Sequence, residues 1–214
     1  AERGRKELRE RGFPIFSQAP RLRSRMLSSS LAHDLQVSEV AVALRAAALE
    51  RGLEFEMRQH PSDPGRLSAL RWHCRISYRE TTKDCVVIPD AAFTLRRGEE
   101  NVSWCFLEFD RGTMPASRRN PHQTSFLRKV LAYKETRRAG ILWKRDQIPG
   151  FRVLVVAESE GRLESLRRVT AESFQRGESR MFLFTTLKAL LERASPFDAN
   201  WQTCAGQHVA LFPA

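Results

Sequence analysis

The run "FRVLVVAES", beginning at Phe151, limits the fold more than any other stretch of the chain. Apart from Arg152 it is apolar from Phe151 to Ala157. Successive strand residues point to opposite faces, so a strand apolar at nearly every position has to be covered on both. The text after it fits that demand. "GRLESLRRVTAESFQRG" has a helical pattern, "RMFLFTT" is a short apolar strand, and "LKALLERA" is helical again. Strand, helix, strand, helix is the rhythm of an α/β layer.

Upstream, "HDLQVSEVAVALRAAALERG" (His33 to Gly52) sets Val37, Val40, Leu44 and Ala47 or Ala48 at helical spacing, with Gly52 as the stop. "LEFEMRQ" from Leu53 alternates as a half-buried strand does, and "LRWHCRISYRE" from Leu70 leans to strand. "DCVVIPDAAFTLRRGEEN" reads as strand, turn, strand, and "VSWCFLEF" as the next strand. In "QTSFLRKVLAYKETRRAG", Phe126, Val130, Tyr133 and Arg137 share one face of an amphipathic helix that ends at Gly140. The expected fold is α/β, a mixed β-sheet flanked by helices, over residues 31–214. Residues 1–30 are basic and apolar-poor, and are expected to be an arm or a linker.

The chemistry concentrates in "WCFLEFDRGTMP", where Glu108 and Asp110 stand in and at the end of an apolar strand. Ile88-Pro89-Asp90 ends the preceding strand, and Lys129 lies on the following helix. If those two strands pair as a hairpin, Asp90 and Glu108 meet at one end of the sheet. Neighbouring carboxylates repel unless a cation or a shared proton intervenes. An all-oxygen pocket suits Mg²⁺ or Mn²⁺, which polarises a phosphodiester oxygen and acidifies a bound water. A nearby lysine then orients that water or meets the developing charge. Each residue also has a plainer role: Asp90 in a turn, Glu108 facing solvent, Asp110 and Thr113 as caps, Lys129 on a wet helix face.

Pro89-Asp90 followed by an acidic strand end resembles the PD-(D/E)XK nuclease superfamily. The longer segments "LAHDLQVSEVAVAL", "IPDAAFTL", "FLEFDRGTMP", "FLRKVLAYKE", "PGFRVLVV" and "RMFLFTT" together resemble the bacterial replication-relaxation family of plasmids and mobile elements, from about His33 to Trp201. The resemblance implies a restriction-endonuclease-like core. It implies metal ligands at Asp90 and Glu108. Asp110 stands where the superfamily usually has lysine, which either adds a third metal-binding carboxylate or marks an inactive descendant. Lys129 would supply the displaced amine. An acidic residue of the first core helix often joins such a site, and Glu39 is the candidate, with Glu50 behind it. Family members commonly carry an N-terminal winged-helix domain, and this sequence is expected to lack one.

A formal net charge of +11 favours a polyanionic partner. Arg111, Arg118, Arg119 and Arg128 flank the acidic pair and are expected to hold DNA phosphates beside it. Two functions follow. One is a Mg²⁺- or Mn²⁺-dependent DNA nuclease of a plasmid or mobile element; the other is an inactive DNA-binding or relaxosome accessory protein of the same fold. A homodimer, a further DNA-binding domain and a plasmid replication or mobilisation protein are the protein partners left open. His73 and Cys74 are adjacent on a strand and point apart, so no zinc site is expected. Cys74, Cys85, Cys105 and Cys204 form no CxxC pair and read as reduced core residues of a cytoplasmic bacterial protein. No apolar run approaches the roughly 18 residues of a membrane span, and no signal-peptide pattern opens the text. The sequence starts at Ala rather than Met, which leaves room for a preceding segment.

Overall fold

Helix α1 (Ser24–Glu50) is longer than its apolar periodicity requires, because no glycine or proline interrupts the chain between Ser24 and His33. It stops at Gly52, whose φ of +65° only glycine adopts without strain, and Leu53 N–H closes back on the Ala48 carbonyl at 2.9 Å. The computed structural model describes residues 24–58, 70–78, 80–98, 101–118, 123–192 and 195–212, with backbone alone at 24–30 and 101. The chain divides into two units, Ala1–Asp34 and Leu35–Ala214, and the sheet lies in the second. Of the arm expected over residues 1–30, residues 24–30 are helical and the rest lie outside the described residues.

The other elements are β1 (Glu54–Met57), β2 (Trp72–Tyr78), β3 (Thr81–Val87), β4 (Ala91–Arg97) and β5 (Asn101–Asp110), then α2 (Phe126–Arg138) and α3 (Ile141–Asp146). After them come β6 (Phe151–Ala157), α4 (Glu160–Glu172), β7 (Phe182–Thr186) and α5 (Leu187–Glu192). Five strands form one mixed sheet in the order β1-β4-β5-β6-β7. β1, β4 and β5 pair antiparallel, while β5, β6 and β7 run parallel. The mixed sheet flanked by helices is the expected architecture.

Both faces are covered, as the run at Phe151 requires. Phe106, Val153 and Val155 pack with Phe126, Val130 and Tyr133 of α2, Leu163 and Leu166 of α4, and Trp72 of β2. Cys105, Leu107, Phe109, Leu154 and Val156 face the other way, into a cluster with Val37, Val40 and Leu44 of α1. The four cysteines are free and buried.

One strand pairing departs from the sequence expectation. β3 does not pair with β5; it forms a separate two-stranded sheet with β2. The hairpin partner of β5 is β4, so Asp90 does not end the strand before the turn but stands directly ahead of β4. This changes the geometry. In an antiparallel hairpin the end of the first strand meets the start of the second, so Asp90 at the end of β3 would have faced the wrong end of β5. At the start of β4 it faces the correct one: Ala91 is opposite Leu107, and Asp90 N–H donates to the Leu107 carbonyl at 3.0 Å.

Candidate functional site

The site is built at the C-terminal end of β5. Phe106, Glu108 and Asp110 lie on one face of the strand by its two-residue period, and Phe106 fixes that face as the α2 side. Glu108 is 2% exposed, which excludes the solvent-facing role. Tyr133 Oη donates to Glu108 Oε1 at 2.6 Å, and Lys129 Nζ donates to Oε2. Lys129 and Tyr133 are four residues apart on α2, the spacing that stacks two side chains on one helix face. Ser125 caps that helix, accepting from Arg128 N–H at 3.3 Å, and the carbonyls of Pro115 and Ala116 accept from Phe126 and Leu127 N–H. The loop after β5 is thereby tied to the helix that delivers Lys129.

Asp90 is half-buried, and its Oδ2 accepts from Phe109 N–H at 2.7 Å. Burial pushes the Glu108 carboxyl up to about 7; Lys129 and Tyr133 pull it down, while the neighbouring Asp90 charge raises it further. Burial also pulls on the Lys129 ammonium, but the charges of Glu108, Asp90 and Asp110 outweigh it and hold Lys129 above its ordinary value. Tyr133 is raised by burial and by Glu108. The three groups expected as the core of the site therefore act on one another electrostatically. Lys129, its side chain 34% exposed, reaches solvent, whereas Glu108 does not.

Asp110 is placed differently. Arg162 of α4 grips it with two bonds, Nε to Oδ1 at 2.6 Å and Nη2 to Oδ2 at 2.8 Å. Gly112 N–H adds a third at 2.8 Å, in a turn where Gly112 has φ +73°. Arg162 also donates to the Met114 carbonyl. Instead of the open coordination position expected of a third metal ligand, Asp110 is the anchor of the loop over residues 111–115. Glu39 is exposed on α1, the helix whose buried residues pack on the opposite face of the sheet, and the structure does not bring it to Glu108. Glu50 is likewise exposed.

Among the basic residues, Arg111 and Arg128 are half-buried on either side of the site in sequence. Arg118 is exposed and donates to Gln123 Oε1 at 3.0 Å and to the Thr124 carbonyl at 3.2 Å. Arg119 lies outside the described residues. His73 is exposed while Cys74 is buried, so the two do point apart. Tyr133 and Arg162 are the site residues that sequence reading missed. The tyrosine carried a signal in its spacing from Lys129; the arginine, 52 residues from Asp110, carried none.

The donor set bears on a divalent cation in two ways. Among the described residues, no group of three His, Cys, Asp or Glu side chains could hold a metal ion. Two oxygen-bearing carboxylates nonetheless fit Mg²⁺, which keeps several waters and commonly takes only one or two protein carboxylates. Glu108 and Asp90 are such a pair, and a cation beside Glu108 is already part of the arrangement in the form of Lys129.

Residues 1–150 match the sequence model of the family described as replication-relaxation. The match includes the basic N-terminal segment, and it ends just ahead of β6. No curated protein and no solved structure matches the chain significantly. No described helix is long and apolar enough to cross a membrane.

Proposed function

The chain belongs to the replication-relaxation family, and from that premise we propose that it processes DNA of a bacterial plasmid or mobile element by hydrolysing phosphodiester bonds. The observation that carries this reading is the buried Glu108 carboxylate, bonded to Lys129 and raised by Asp90 at the end of a sheet strand. An acid ahead of one strand, an acid at the end of its antiparallel neighbour and an amine beside them is the set that the PD-(D/E)XK resemblance implies.

Asp90 and Glu108 would hold Mg²⁺ or Mn²⁺. The ion, when bound, acidifies a water and polarises the scissile phosphate. The chain's own groups do the rest. Lys129 leaves Glu108 for the solvent side, where its ammonium holds the attacking water or meets charge on the phosphate. Tyr133 keeps the Glu108 carboxylate aimed, since its hydroxyl donates to the oxygen that Lys129 does not use. Arg162 fixes Asp110 and the Met114 carbonyl, which keeps the following loop in place. Arg111, Arg118 and Arg128 supply phosphate contacts around a pocket that would otherwise repel DNA.

Incubating the protein with supercoiled plasmid and Mg²⁺ or Mn²⁺ tests this. Nicking or linearisation is expected, and Asp90→Asn and Glu108→Gln each abolish it while the far-UV spectrum stays unchanged. Cleavage that persists in both variants, or none on duplex, single-stranded and branched DNA, overturns the nuclease reading. One observation favours a second reading, a DNA-binding accessory protein without catalysis: both Glu108 oxygens are engaged within the protein. That reading expects salt-sensitive DNA binding that survives loss of both carboxylates.

A further inference from the structure

Away from the carboxylates, three depressions follow α2 and share residues in succession. The first, a cleft of about 470 Å³ at the start of β6, is lined by Trp104, Gly150, Phe151, Arg137, Arg152 and Arg180. Arg137 and Arg180 also line the second, of about 380 Å³, together with Lys134. Lys134 in turn lines the third, of about 470 Å³, which reaches Ser117 and Arg118 in the loop after Asp110. The result is a segmented groove from that loop to the opposite end of β5, with Lys134, which donates to the Ser173 carbonyl at 2.6 Å and lies over the Phe174 ring, between the second depression and the third.

Its charge is one-sided. Arg118, Lys134, Arg137, Arg138, Arg152 and Arg180 line it, against Glu172 and Glu178. Glu135 takes up Arg138 with bonds of 2.8 and 2.7 Å, and Glu178 accepts from Gln207. The three arginines of the first cleft are not neutralised: among the described residues, none of them is in an ion pair. Arg137 and Arg152 each give an N–H to a backbone carbonyl, of Phe151 and Leu211 respectively, which orients the guanidinium and leaves its charge intact. The lining of that first cleft contains no carboxylate.

We propose that this groove is a second DNA contact, which takes the sugar-phosphate backbone of a strand running along α2 and anchors it at Arg137, Arg152 and Arg180. The dimensions agree. The 13 residues of α2 span ~20 Å at ~1.5 Å each, long enough for a few consecutive phosphates of one strand. Guanidiniums match phosphate oxygens with paired N–H groups, whereas the groove offers no set of side chains arranged to read base edges. The groove therefore supplies affinity rather than sequence preference. The proposal rests on the DNA partner of the reading above and is independent of its chemistry.

Fluorescence anisotropy of labelled single-stranded and duplex DNA, titrated with the full chain over a range of salt, tests it. Arg137→Gln/Arg180→Gln is expected to weaken binding at least several-fold. It should also flatten the log–log salt slope by about 1.4 to 1.8, at ~0.7–0.9 per lost phosphate contact. Lys188→Gln, an exposed charge on α5 outside the groove, should move neither. Both arginines are exposed, so the double variant should fold, and Arg180→Gln alone repeats the test with half the slope change. Unchanged affinity and slope, or a loss no larger than that of Lys188→Gln, overturns the groove. Preferential binding to anionic lipid vesicles over DNA, lost in the same variants, overturns it as well. Nicking reads the carboxylate site and the salt slope reads the groove, so failure of the nuclease reading and failure of the groove give different results.

Discussion

Glu108 and Asp110 are two residues apart on one strand, point to the same face and are both buried, at 2% and 7% exposure. They are held in opposite ways. Asp110 is locked by the planar fork of Arg162 and by a backbone N–H. Glu108 is met by a flexible lysine and a phenol, and a neighbouring acid pushes against it. A bidentate guanidinium fixes geometry, and its charge does not titrate in the working range. An ammonium on a four-carbon stem can leave. The same residue class at the same depth thus serves as a rivet in one case and as an adjustable charge in the other.

Arg162→Ala should break the rivet. Stranding a buried carboxylate costs ~3–5 kcal/mol, and urea midpoints would read it. The sharper variant is Asp110→Leu/Arg162→Met, because an apolar pair of similar volume restores much of what the single change loses. If Asp110 only anchors the loop, this double variant folds and still nicks plasmid. A folded double variant without nicking would return Asp110 to the catalytic set.

Lys129→Gln addresses the other carboxylate. Removing a group that meets developing charge lowers the nicking rate by ~10²–10³. The rate should also rise with pH as Glu108 ionises, through a midpoint that a bound divalent cation draws below the value of about 7 of the metal-free carboxyl. Because Lys129 pulls the Glu108 carboxyl down, its loss should move that midpoint to higher pH. A lower rate with an unmoved midpoint would separate Lys129 from Glu108.

The difference between the two carboxylates also marks what the sequence could reveal. The layer order was legible because Phe151–Ala157 and the α2 periodicity are local patterns. Asp90, Glu108 and Lys129 were legible as a group because two adjacent strands and the next helix carry them. Their meeting was expected from the wrong hairpin, however. "DCVVIPDAAFTL" contains two strands, and nothing local says which one pairs with β5. Arg162 was invisible because its contact with Asp110 exists only once α4 has packed beside β6. Glu39 was misplaced because helical periodicity identifies a buried face without saying which side of the sheet it covers.

Tyr133→Phe is a smaller change to the same carboxylate. A buried hydrogen bond to a charged group is worth ~1.5–3 kcal/mol, so stability should fall by that order above pH 7, where Glu108 is ionised. Below the midpoint the loss should shrink, since a protonated carboxyl needs the phenol less. Equal losses at both pH values would mean that Tyr133 contributes packing alone.

The gentlest test uses pH itself. An unfolded Glu108 titrates near 4.5, the folded one near 7. Between those values the folded chain holds a proton that the unfolded chain has released. Its stability therefore falls as pH rises, by up to about 1.4 kcal/mol per unit for a single proton. The contribution is complete below 4.5 and gone above about 7. Other groups titrate in the same window, so the readout is wild type minus Glu108→Gln, measured by urea denaturation across it. The difference should slope downward with pH, and Mg²⁺ should flatten it by favouring the ionised carboxylate. Parallel curves would show Glu108 titrating like an exposed acid, and the contrast with Asp110 would then reduce to which cation each one meets.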